Sequence, residues 1–378
     1  MRFCDILGHD AVKTHLIDIA NSDKVPPSQL FLGNDGSAGF AIALAFASYL
    51  NCTNIGSIDS CGLCPSCRKT DNLIHPDLVF SFPSIHNTKF DADDLNTQTL
   101  AKWRTFVKKN PYITIDDWIE VVGIDNKQLS FTKESVRRLI ELANIRTFEA
   151  RYKVVFIWMP EYLNTTAGNA LLKILEEPPK NTLFFLIGVD THKMLDTIVS
   201  RMQKVYVGKF TDIELLQLLN IHYNTDDVER ISQVISLAEG NYSNAIKLLN
   251  SHLDLYFGLF RDWMRSCYKC DNISLVNKAD SFNKMTKENQ KNFFLYSLSL
   301  LREILINMFR KEKTHRIVLE EEEFITKFGN TFDRDKIKKI AELLNDYHYY
   351  IERDANSKIL FLNLSLTISN IFKSPENL

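Results

Sequence analysis

Apolar residues run through the first two-thirds of the chain in two alternating rhythms. Short continuous blocks at 29–32, 77–82, 153–159, TLFFLIGV from Thr182 and KVYVG from Lys204 read as strands. Blocks this short and this apolar suit a parallel sheet covered on both faces. Between them, 10–21, 39–50, the stretch from Thr132 to about 145, TAGNALLKILEE and 193–201 carry helical spacing. Thr132 and Asn164 or Thr165 are in place to cap two of these helices, and Pro178 and Pro179 end the second. Strand–helix alternation of this kind predicts a doubly wound α/β domain. Residues 83–130 interrupt it and read as an irregular polar insertion with two short amphipathic pieces around Trp103 and Trp118. Beyond Phe210 the strand pattern stops. Short helices follow to 250, then long amphipathic ones, including 287–312, 333–353 and 357–373. The expected plan is an α/β domain over 1–209, a small helical domain over 210–250 and an all-helical domain over 251–378.

A chain of 378 residues is long enough for two or three domains. Its net charge of −2 argues against a dedicated nucleic-acid arm, though not against a local basic patch. No apolar run is long enough for a bilayer, so no membrane partner is expected. The opening MRFCDILGHD carries charges where a leader would be apolar, and the expected location is cytoplasmic.

In a reducing compartment, clustered cysteines suggest metal before disulfides. Cys52, Cys61, Cys64 and Cys67 have the spacing C-x8-C-x2-C-x2-C. Four thiolates so close can close a tetrahedral site, which favours structural Zn²⁺ with no position left open for catalysis. An iron–sulfur cluster is the lesser alternative. Cys4 reads as a small buried residue, and Cys267 and Cys270 as ordinary thiols.

The stretch LFLGNDGSAGF, from Leu30, is laid out as strand, glycine turn and helix, like a phosphate-binding loop. Gly33, Gly36 and Gly39 supply the turn, but the lysine position falls on Gly39 or Phe40. No ammonium is available for the β- and γ-phosphates, no hydroxyl for Mg²⁺, and Asp35 adds a repelling charge. The strand at 153–159 ends in Trp158 and Met159, where acidic residues would hold Mg²⁺. Ser243 stands where a lid helix would present an arginine.

Taken together, DILGHDAV, the four-cysteine knuckle, YKVVFIWMPE, NALLKILEEPP and TIVSRMQ resemble the delta-prime family of clamp-loader subunits of bacterial DNA polymerase III. They are similar, more distantly, to gamma/tau. The resemblance covers residues 3–250. It implies an AAA+ fold with a degenerate P-loop, a helical lid and a C-terminal collar. It also implies a subunit that hydrolyses no ATP itself, though it works within the polymerase holoenzyme. The expected partners are gamma/tau and delta in a hetero-pentamer, with the sliding clamp and primed DNA reached through that complex. The family's Ser-Arg-Cys motif stands here as Ser200-Arg201-Met202, which implies an arginine finger in trans at Arg201. Two other classes remain: an active gamma/tau-like ATPase, and a stand-alone zinc-containing nucleic-acid-binding protein.

Overall fold

The computed structural model describes residues 1–22, 24–84, 92–123, 129–222, 228–250, 253–310, 319–352 and 355–373. They divide into two compact units, Met1–Leu218 with Gly240–Ser243, and Leu219–Glu239 with Asn244–Leu378.

The first unit is built on a parallel sheet. In chain order it contains α1 (Asp10–Asn21), β1 (Ser28–Leu32), α2 (Gly39–Leu50), α3 (Pro65–Asp71), β2 (Leu78–Ser81), α4 (Ala92–Lys109), α5 (Ile115–Val122) and α6 (Lys133–Asn144). Then come β3 (Lys153–Trp158), α7 (Thr165–Glu176), β4 (Thr182–Gly188), α8 (Asp196–Val199), β5 (Gln203–Tyr206) and α9 (Asp212–His222), whose last residues belong to the second unit. The strand order is β2-β3-β4-β1-β5, with every neighbouring pair parallel.

Successive strand residues point to opposite faces. Leu30, Val155, Ile157, Phe184 and Leu186 share a core with Val136 and Leu139 of α6 and Leu171 and Leu175 of α7. The alternate positions Phe156 and Phe185 meet Phe40 and Phe46 of α2, with ring centroids 6.0 Å and 5.5 Å apart. Helices therefore cover both faces, and the doubly wound sheet expected from the sequence is present.

Local chemistry sets the helix boundaries. The Thr132 hydroxyl accepts from Ser135 N–H, and the Asn164 side chain accepts from Ala167 N–H. At the start of the sheet, the Asp77 carboxylate accepts from Phe148, Glu149 and Ala150 N–H at 2.7–2.9 Å. Lys153 Nζ donates to the Leu142 and Ile145 carbonyls at the end of α6, where a cation is favoured.

Three expectations need correction. The piece around Trp103 is not short, because α4 runs for 18 residues. The stretch 193–201 is helical only at Asp196–Val199, after a single turn at Thr191–Lys193. Cys4 is exposed rather than buried. Its backbone N–H is tied to Asp59, and the neighbouring Phe3 takes the buried position instead.

The second unit is helical throughout its described residues, with α10 (Val228–Ala238), α11 (Tyr242–Leu249), α12 (Leu253–Lys269), α13 (Asn272–Asn283), α14 (Lys287–Arg310), α15 (Leu319–Thr331), α16 (Arg334–Glu352) and α17 (Ser357–Lys373). The first residues of α11 belong to the first unit. Trp263, Phe282, Phe294 and Phe361 stack in its core with Phe293 tilted against them, and Trp263 Nε1 donates to Ser365 Oγ at 2.8 Å. No helix among the described residues is long and apolar enough to cross a membrane.

Candidate functional site

The glycine turn between β1 and α2 forms a cradle, but the chain fills it. Gly33, Gly36, Phe40, Ile113, Trp158 and Met159 line a cavity of about 20 Å³. That is room for about one water, far below the roughly 300 Å³ at which small-molecule sites begin. Two segments close it. Asn241 Nδ2 donates to the Asp35 carbonyl at 2.7 Å. From the insertion, Ile115 N–H, at the first residue of α5, donates to the Asp35 carboxylate at 3.1 Å and 3.3 Å. Burial pushes Asp35 up to about 7 against the pull of that N–H, with Asp116 and Asp117 adding repulsion. Ser243, expected from the sequence to stand where a lid helix would present an arginine, is buried and donates to Asp117.

The insertion holds this arrangement by aromatic packing. Trp103 and Trp118 are 0 % exposed, so both are core residues. Trp103 meets Phe40 at 5.7 Å, Trp158 at 5.1 Å and Trp118 at 5.2 Å, and Trp118 Nε1 donates to the Pro83 carbonyl at 2.9 Å. Glu161, just beyond β3, is not among the residues that line the cavity. Its Oε1 accepts from the Val189 and Asp190 N–H groups, tying the ends of β3 and β4 together, and burial raises its pKa.

The four knuckle cysteines come together. The Sγ atoms of Cys52, Cys61, Cys64 and Cys67 all lie within 4.8 Å of one another. Cys52 to Cys64 and Cys61 to Cys67 are each 4.0 Å. A tetrahedron of Zn–S bonds has edges of about 3.8 Å, so the set fits the ion. Backbone N–H groups surround the sulfurs. Cys61 N–H points at Cys52, Leu63 and Cys64 N–H at Cys61, and Cys67 N–H at Cys64, at 3.3–3.4 Å. Such donors stabilise thiolate and orient it. Burial opposes ionisation of Cys64, yet hydrogen bonds from Thr53 and Cys67 N–H outweigh it and bring that thiol down to about 6. Burial drives Cys67 up to about 12. Gly62 makes the turn inside the knuckle at φ +69°, and a Cβ there would lie 3.0 Å from Arg2 Cδ.

Arg201 follows α8 and is held on both sides of its guanidinium, though its side chain stays 35 % exposed. Its Nε and Nη2 both reach Glu176 Oε1, at the last residue of α7. Nη1 donates to the Thr197 carbonyl at 2.7 Å and lies 3.5 Å from Ser200 Oγ. Met202 is buried in the same core as Leu171 and Leu175.

A family model described as "DNA polymerase III, delta subunit" matches residues 8–211. The chain belongs to that family. Among curated relatives, this delta-family chain is 26 % identical to the Escherichia coli DNA polymerase III subunit tau over 251 residues, 65 % of this chain and 32 % of the relative. It is 23 % identical to subunit gamma/tau of Mycoplasma genitalium over 254 residues, 66 % of this chain and 35 % of the relative. It is 26 % identical to subunit delta' of Bacillus subtilis over 188 residues, 50 % of this chain and 44 % of the relative. The matched region thus spans about a third of the gamma/tau relatives. The family is that of the clamp-loader subunits; tau and gamma/tau match over more of this chain than delta' does, so the expected greater distance of gamma/tau is not supported.

Within this delta-family chain, the sequence placed Gly33, Gly36 and Gly39 in one turn and the four cysteines in one knuckle; the structure brings the cysteines together and keeps Gly33 and Gly36 in the turn, while Gly39 opens α2. Two residues escaped notice. Asn241 carries no signal, because it meets Asp35 only after 206 positions of chain. Glu176 did carry one. An acid at a helix C-terminus opposes the helix dipole and calls for a cation beside it.

Proposed function

We propose that this chain is a delta-prime-like, ATPase-defective subunit of the DNA polymerase III clamp loader. It scaffolds the complex that places the sliding clamp on primed DNA and lends Arg201 to a nucleotide held by the neighbouring subunit. The closed cradle carries this reading. A cavity of about 20 Å³ with a buried carboxyl and no lysine suits an element kept for shape rather than for ATP. Gamma/tau and delta would be the partners in a hetero-pentamer. Residues 1–209 would form the AAA+ domain, 210–250 its small lid and 251–378 the collar through which the subunits assemble. Zn²⁺ at Cys52, Cys61, Cys64 and Cys67 would be structural, adding folding free energy and no chemistry.

The guanidinium of Arg201 is always charged and offers a planar edge to a γ-phosphate. A finger in trans is worth about 10³–10⁵ in rate at the interface it serves. The test is DNA-dependent ATPase activity of a reconstituted loader carrying either the wild-type chain or Arg201→Ala, with the chain alone as control. An inert control, turnover with wild type and loss of the served interface's share with Arg201→Ala are the expected results. Hydrolysis by the chain alone would replace this reading with an active gamma/tau-like ATPase.

A further inference from the structure

The geometry points to Glu176 as the positioning residue that holds Arg201 out of action until a neighbour's triphosphate displaces it. This rests on the reading of Arg201 as a finger. An arginine has two edges able to meet an oxyanion in bidentate fashion. The Nε/Nη2 edge is given entirely to Glu176 Oε1, while Nη1 is anchored by the Thr197 carbonyl and Ser200. A γ-phosphate can therefore take the Nε/Nη2 edge only by exchanging with the carboxylate.

Both partners remain within reach of another molecule, with side chains 35 % and 45 % exposed. The pair is thus weak enough to open. A terminal phosphate carries more negative charge than one carboxylate, so the exchange favours ATP. A diphosphate presents no γ-phosphate, and the guanidinium returns to Glu176. The pair thereby makes engagement depend on the nucleotide's state. The residues come from two different motifs, one closing α7 and one following α8, which the fold sets side by side.

The experiment uses the reconstituted loader, titrated with ATP and inhibited with ADP, carrying wild type, Glu176→Gln, Glu176→Asp, Arg201→Ala or the double variant. An exposed pair is worth up to about 1 kcal/mol, so Glu176→Gln should lower the half-maximal ATP concentration about two- to five-fold. Its maximal rate and its inhibition by ADP should stay at the wild-type level. Glu176→Asp, which keeps the charge, should restore the wild-type ATP dependence. The double variant should behave as Arg201→Ala. An unchanged ATP dependence in Glu176→Gln, or a fall in maximal rate, overturns the latch while an impaired Arg201→Ala leaves the finger standing. A fully active Arg201→Ala overturns the finger, and the latch with it. Thermal melting of each chain verifies that the variants are folded.

Discussion

The side-chain amide of Asn241 donates to the carbonyl of Asp35 at 2.7 Å, closing the phosphate-type turn from a point 206 residues downstream. Gly36 is the residue that lets it approach. A Cβ at Gly36 would lie 2.4 Å from Asn241 Oδ1, and Gly36 has φ +72°. Gly36→Ala is therefore expected to lose about 1–2 kcal/mol from the left-handed backbone alone, with the contact adding to it. Asn241→Ala removes the contact but not the backbone cost. The two substitutions should accordingly be non-additive in urea unfolding.

Restoring the missing lysine should not restore nucleotide binding. A Cβ at Gly39 has ordinary neighbours, at 3.5 Å and 3.6 Å, so Gly39→Lys can be introduced. The cavity behind it still holds only about 20 Å³. Titration with a fluorescent ATP analogue should show no saturable binding in either protein, and a saturable signal in the variant would mean that the cradle opens.

Asp35 should make stability fall as pH rises. Its ordinary value is 3.8, and burial raises it to about 7 in the folded chain. Between those values the folded state keeps a proton that the unfolded state has released. That stabilisation is complete below the lower value and is lost as pH climbs through the upper one. Asp35→Asn keeps an acceptor for Ile115 N–H and cannot ionise. The variant's urea midpoint should therefore gain on wild type between pH 5 and pH 8, and a constant gap would show that Asp35 does not titrate there.

The insertion's aromatic cluster should be expensive to damage. Trp103 is 0 % exposed and touches Phe40, Trp158 and Trp118. Trp103→Ala is expected to cost about 3–5 kcal/mol. Trp118→Phe keeps most of the packing and loses the bond to the Pro83 carbonyl, a cost of about 1 kcal/mol. Chemical denaturation of the two variants measures both, and similar losses would contradict this assignment.

Metal analysis of the purified chain should find about one zinc per molecule, and a strong chelator should lower its melting temperature. Cys64→Ser should lose the metal and melt at the chelated value. An untouched melting temperature after complete metal removal would show that the knuckle folds without it.

The sheet and the knuckle were legible in the sequence because both are written in local signals. Blocks such as 153–159 are apolar enough to require burial on two faces, and C-x2-C steps bring thiols together within a few residues. Helix starts at Thr132 and Asn164 were equally readable from capping chemistry. The insertion was not. Its polar residues hide the spacing of Trp103 and Phe106, whose burial depends on Trp158 and Phe82 elsewhere in the chain. The closure of the cradle was equally hidden, since Asp35, Ile115 and Asn241 meet only through tertiary structure. Arg201 was visible as a motif, but its pairing with Glu176 depends on the fold that sets α7 beside α8.

The insertion leaves and rejoins the body at one place, where Ser84 and Ser130 pair in an antiparallel bridge with N···O distances of 3.1 Å and 3.2 Å. A segment whose ends meet like a clasp can be gained without shifting any strand by a residue. Between the clasped ends, Trp103 and Trp118 are fixed by burial, while the join itself asks for no side chain. The strand order and the filling of the cradle are thus set by separate parts of the chain. The parallel sheet and the segment that packs over its cradle are joined through a pair of backbone hydrogen bonds at Ser84 and Ser130.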